Sequence, residues 1–117
     1  VNYIDGYVLN VSTTSREAYR IMAEKMAHVF KKYGALNVIK NWGDDVPEGK
    51  LTSFTMAVKR EESESIVFSW VTWLSRAVRH EAWRVIMQDP IMQNDEMSKL
   101  FDGKRMIFGG FQTIVKV

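Results

Sequence analysis

The sequence predicts an α+β chain: four strands in one antiparallel sheet, with two helices on a single face. Three observations carry that expectation. Patterned segments follow the order strand, helix, strand, short helix, strand, helix, strand, in two halves of similar length. The segment IVFSWVTW at 66–73 is β-branched and aromatic on both faces, as a central strand covered from both sides would be. The 117 residues, read as one domain over 1–117, suffice to bury a core without metal or disulfide. This βαββαβ order is that of a ferredoxin-like fold.

Each element has its own signal. Residues 2–11 alternate, with Tyr3, Asp5, Tyr7, Leu9 and Val11 on one face and Ile4, Gly6, Val8 and Asn10 on the other. Thr14 and Glu17 have the spacing of a capping box. Ala18, Met22, Met26, Val29 and Tyr33, widened by Ile21 and Phe30, then recur at helical spacing, and Gly34 stands where a C-terminal cap belongs. These predict a helix over 14–33. ALNVIKNW (35–42) reads as a strand with Leu36, Val38 and Trp42 on one face, and GDDVPEGK (43–50) as a loop. Leu51, Phe54, Ala57 and Val58 fit a short helix, and KREESES (59–65) a solvated connection. Ser75 caps a second long helix with Ala77, Val78, Ala82, Val85 and Ile86 buried, stopped by Asp89-Pro90. Residues 91–105 read as irregular, with a helical turn around 95–99. Asp102-Gly103 is a turn signal before the last strand, 106–115, in which Gly109 and Gly110 permit a bulge or a close backbone approach.

Composition narrows the function classes. A net charge of +2 is too small for a nucleic-acid stripe, so no nucleic-acid partner is expected. No apolar run approaches the ~20 residues that span a bilayer, so no membrane partner is expected. The stretch VNYIDGYVLNV lacks the basic and uninterrupted apolar regions of a secretory leader. The absence of cysteine removes thiolate chemistry and is compatible with a reducing cytoplasm, the expected location. If the helices cover one sheet face, the apolar residues of the other need a cover, and a second copy in a two-fold homodimer is the simplest one.

The motifs YIDGYV (3–8), AYRIMAEKMAHVFKKYGAL (18–36), WGDDVPEGK (42–50), VFSWVTW (67–73) and FDGKRMIFGGF (101–111) resemble the YbaA-like family of small bacterial proteins, a family classed as a domain of unknown function. The resemblance covers nearly the whole chain and implies a dimeric α/β-barrel type of ferredoxin-like fold. It implies no activity and no catalytic residues. Other families of that barrel type include cofactor-free monooxygenases, haem-degrading enzymes, lactone isomerases and stress-response proteins, but fold analogy does not transfer chemistry.

Read for chemistry, the chain offers few candidates. His28 and His80 lack ligand spacing, so no metal is expected; Glu24, one turn before His28, allows a carboxylate–imidazole pair, and a haem-axial role for His28 is the remote alternative. No serine sits in a nucleophile elbow, and no phosphate or dinucleotide loop is present, so no cofactor is expected. Asp5, a carboxylate on an otherwise apolar strand face, is a catalytic-base candidate together with His28; its bland role is pairing with Lys104 or Arg105. Trp42 and Trp70 are candidate cavity walls, and Lys104 and Arg105 candidate anion binders. The acids and lysine of the 42–50 loop read more simply as turn and cap residues. Three functions are compatible with this reading: a homodimer whose apolar cavity binds a small organic ligand, a cofactor-free monooxygenase- or isomerase-like enzyme on an aromatic or lactone-like substrate, and a structural or protein-interaction module. Whether the chain is an enzyme is left open by the sequence.

Overall fold

A computed structural model describes residues 2–93 and 95–117. The elements are β1 (Tyr3–Ser12), α1 (Arg16–Lys32), β2 (Asn37–Trp42), α2 (Phe54–Ala57), β3 (Glu64–Trp73), α3 (Arg76–Ile86) and β4 (Ile107–Gln112), with single 3-10 turns at Thr13–Ser15, Pro90–Gln93 and Met97–Lys99. The sheet order is β2-β3-β1-β4, every pair antiparallel. This is the ferredoxin-like arrangement, with β3 central and β4 at an edge.

Alternation along the strands builds two different faces. Tyr3, Asp5, Tyr7, Leu9 and Val11 share their face with Val67, Ser69, Val71 and Trp73 across the β1–β3 ladder. That face packs under α1 and α3. Met26 and Phe30 of α1 and Ala82 and Ile86 of α3 close over Val71 and Trp73, and Trp73 is fully buried. Ile4, Gly6 and Val8 point the other way, with Phe68 and Trp70. The 43–60 connection folds back over one end of this second face, where Val58 and Val46 cover Val8 and Ile66 and Asn10 Nδ2 donates to the Val58 carbonyl at 2.7 Å. The other end stays open.

Local signals place the elements, with instructive departures. The capping box does not close. Ser15, not Thr14, is the N-cap of α1, and Glu17 turns outward to bind Arg20 at 2.7 Å, a longer partner that reaches it without bending the chain. The buried stripe of α1 is Tyr19, Met22, Ala23, Met26 and Phe30, while Ala18 and Ile21 are exposed. Ser53 and Ser75 accept from Met56 and Val78 amides as N-caps, and Gly34 takes φ 115° at the end of α1. β2 begins at Asn37 rather than Ala35, β3 reaches back to Glu64, and β4 ends at Gln112. Residues 91–105 carry the turns at 90–93 and 97–99; Asn94, inside that stretch, lies outside the described residues. β4 runs without a bulge: Gly6 pairs with Gly109, and the Phe111 ring lies 3.6 Å and 3.5 Å from where their side chains would begin. Gly110 leaves room for the Tyr3 ring.

Asp5 is buried (3% exposed) and does not pair with Lys104 or Arg105. It accepts from Trp73 Nε1 at 2.9 Å, Trp83 Nε1 at 3.0 Å and the Arg79 guanidinium at 2.6 Å and 3.0 Å. Arg79 also stacks over Tyr3, 5.5 Å from its ring centre. The register explains the difference. Asp5 stands opposite Gly110, whereas the ladder ends at Val8–Ile107, so residues 104 and 105 fall toward the far end of β1. There Arg105 binds Glu64 at 2.8 Å and Asp102 at 3.1 Å. The hydrogen bond from Arg105, and after it the one from the Glu61 amide, lower the Glu64 carboxyl below its ordinary value. Asp5→Asn exchanges an acceptor-only anion for an amide that presents hydrogens to two indoles, and leaves Arg79 half-buried without its partner. We expect a loss of about 3 kcal/mol, read as a lower urea midpoint with an unchanged denaturant slope.

Candidate functional site

One transverse row of the helix-facing surface carries unusual chemistry. Lys40 of β2 stands opposite Ser69 of β3, Ser69 opposite Tyr7 of β1, and Tyr7 opposite Phe108 of β4. Ser69 is small enough for the Lys40 side chain to reach across it, and the amine sits 5.5 Å from the Tyr7 ring centre. Tyr7 in turn stacks on Phe108, with ring centres 6.5 Å apart.

This row meets a cavity of about 210 Å³ between the sheet, α1, α3 and the 91–106 segment. Its walls are aromatic and thioether: Tyr7, Phe30, Trp83, Met92, Met97 and Met106, among others, with Lys40 and Tyr19 at the polar end. A groove of about 410 Å³ continues outward from Lys40 and Tyr19 past Trp42, Arg16 and Arg20. Arg16 lies on the Trp42 ring at 5.4 Å.

The polar groups here are unsatisfied. Among the described residues Lys40 has no hydrogen-bond or ion-pair partner, and neither do the Tyr7 and Tyr19 hydroxyls. Ser69 Oγ is buried with no partner. Burial alone lowers the Lys40 amine to about 8. Burial also raises the Tyr7 hydroxyl well above the ordinary phenol value, Asp5 adding to this and Arg79 opposing it. The Tyr19 hydroxyl is pushed up to about 12 by burial. An apolar pocket with a few convergent, unpartnered polar groups is the arrangement of a ligand site.

The residues singled out from sequence fall in different places. Trp42 lines the groove. Trp70 lies on the opposite sheet face, beside Phe68 at 5.5 Å. Asp5 does not line the cavity; it acts on it through Trp83, a wall residue whose indole it holds. His28 is exposed on α1, and Glu24 bonds to Arg20 instead of to it. Lys104 is exposed in the Asp102 turn, its amide bound to Asp102 Oδ1 at 2.9 Å, and Arg105 is occupied by Glu64. Among the described residues no three His, Asp or Glu side chains converge as a metal site would require. Lys40 and Ser69 were missed. The signal was present in ALNVIKNW, where Lys40 sits between Val38 and Trp42 on the strand's inward row.

Sheet order and register define a ferredoxin-like α+β protein with a cavity between sheet and helices. Residues 2–103 match the model of a family described as a protein of unknown function (DUF1428). The chain belongs to this family. It is 49% identical over 115 residues, 98% of each chain, to the uncharacterized protein YbaA of Escherichia coli K12, and equally to that of Shigella flexneri. Among solved structures it resembles a mutant of SnoaB, a cofactor-independent oxygenase from Streptomyces nogalater (TM-score 0.63, 12% identity, 99% of this chain and 96% of that one). It also resembles a dimeric ferredoxin-like protein from an uncultured marine organism (TM-score 0.62, 15% identity, 100% of each). At these identities the likeness concerns the fold. No helix among the described residues is long and apolar enough to cross a membrane.

Lys40 destabilises the fold that holds it. Below pH 8 the amine is charged in both folded and unfolded chains, and the burial cost is full. Between 8 and its ordinary 10.5 the folded amine is neutral and the unfolded one charged, so the cost fades as pH rises. Lys40→Met should therefore raise stability at pH 7 by on the order of 1–3 kcal/mol, with the gain shrinking above about pH 8 and nearly gone by the amine's ordinary 10.5. Urea titrations at the two pH values measure both effects.

Proposed function

We propose that the chain acts as a cytoplasmic homodimer that holds a small organic molecule in the cavity between its sheet and its helices. The observation that carries this reading is the methionine- and aromatic-walled cavity ending at Lys40, Tyr7 and Tyr19, whose polar groups have no hydrogen-bond partner among the described residues. A ligand with a polar group at that end would satisfy them. Methionine walls adapt to ligands of varied shape. 1-Naphthamide, a neutral aromatic probe, should bind one equivalent per chain by calorimetry. Met97→Trp, which fills part of a half-buried wall, should weaken it at least about tenfold. The absence of saturable binding, or binding indifferent to Met97→Trp, would refute this reading.

The dimer half of the proposal rests on the open sheet face. Phe68 (43% exposed), Phe111 (61% exposed), Ile39 and Ile107 form an apolar surface with Trp70 and Ile4 that the described residues leave largely open, Phe54 of α2 meeting only the Phe68 ring at 5.7 Å. A second copy offers the same surface for two-fold packing. The wild-type chain should sediment at twice its mass at micromolar concentration and Phe68→Glu at the monomer mass; a monomeric wild type would sink the idea.

A second reading, a cofactor-free enzyme on an aromatic or lactone-like substrate, draws support from the Lys40 amine. Lowered to about 8 and facing the cavity, it becomes able to accept a proton in mildly alkaline solution, where an ordinary lysine amine stays charged.

A further inference from the structure

Resting on the reading of the cavity as a ligand site, we infer that it selects small aromatic molecules bearing one anionic oxygen group, a carboxylate or an enolate, and that Lys40 is the residue that binds this group. The argument begins with an inventory of donors and acceptors. Lys40 can only donate. The Trp83 indole N–H at the wall is already given to Asp5 at 3.0 Å. Tyr7 and Tyr19 supply free hydroxyls, while the Ser69 hydroxyl, on the row between Lys40 and Tyr7, is fully buried beneath the cavity wall and does not line it. The remaining wall is hydrocarbon, aromatic ring and thioether. Among the described residues no carboxylate lines this cavity. Asp5, behind the Trp83 wall, is bound by Arg79 at 2.6 Å, and Glu24, in the outer groove, by Arg20 at 3.1 Å.

The cavity therefore holds a positive charge with no counter-charge from the protein. A cationic ligand is repelled. A neutral one removes more water from Lys40 and returns no charge. A single anionic oxygen group supplies the missing acceptor and the missing charge together. The entrance adds one more cation, Arg16 on the Trp42 ring, which has no ion-pair partner among the described residues, whereas Arg20 beside it is offset by Glu17 and Glu24. Shape fixes the orientation. The outer groove and inner cavity meet at Lys40 and Tyr19, so the apolar body of the ligand occupies the methionine-lined end and its anionic group stays at the junction.

The test is a calorimetric titration of the full chain with 1-naphthoate and with its neutral isostere 1-naphthamide, at about pH 6.5 and about pH 9.5, on either side of the Lys40 transition. We expect naphthoate to bind at least about tenfold more tightly at the lower pH, with the advantage narrowing at the higher one as the amine loses its charge. Lys40→Met should erase the advantage of naphthoate over naphthamide, and Lys40→Arg should keep part of it. If naphthamide binds and naphthoate binds no better, or if Lys40→Met leaves the advantage intact, the inference is overturned and the cavity reading stands. If the advantage vanishes in Arg16→Met but survives in Lys40→Met, the anion sits at the mouth and the inference fails. If neither probe binds, the cavity reading fails and takes the inference with it.

Discussion

The buried Asp5 carboxylate holds this structure together. It lies on the first strand, and its donors come from the third strand and from α3. Every side chain bound to it donates, so the carboxylate serves purely as an acceptor. Because two indoles and a fork-shaped guanidinium converge on one anion, α3 is fixed against the sheet in both position and rotation. Trp83 is thereby held upright, meeting Phe30 edge to face at 5.3 Å. The wall of the cavity is thus a consequence of the ion cluster behind it.

Against that saturated charge stands an unsaturated one. Lys40 and Asp5 both belong to the helix-facing side of the sheet, yet α3 brings Asp5 a guanidinium while nothing brings Lys40 a carboxylate. The first arrangement is structural: it is closed, and it leaves no lone pair for a substrate. The second is open, and it carries the cost that structural sites avoid. The other face of the sheet is open in a different sense, with apolar surface and no buried charge. In the proposed function one face would hold the ligand and the other would pack against a second copy.

Most of the architecture was legible in the residues. The 2–11 alternation, the serine caps at 53 and 75, Gly34 and the doubly apolar 66–73 segment each carry a local physical signal that the fold retains. The site was less legible. Asp5 stood out because a lone acid on an apolar row is conspicuous. Its partner was misassigned because Arg79 lies on a helix whose rotation about its axis no strand pattern reveals. Lys40 was overlooked because a lysine in a short strand reads as surface until the neighbouring residue, Ser69, is known to be small enough to let it inward. His28, Lys104 and Arg105 drew attention by residue type, and the fold spends none of them on the cavity.

Periodicity, caps and turn signals act over a few residues, so they could specify the strands, the helices, their order and which residues share a face. Register, helix rotation and the closing of the 91–106 segment over the sheet depend on contacts dozens of residues apart, such as Asp5 with Arg79 and Lys40 with Tyr7. Those contacts are chosen by volume and charge in three dimensions. Only there does one buried charge acquire its partners while another is left waiting for one.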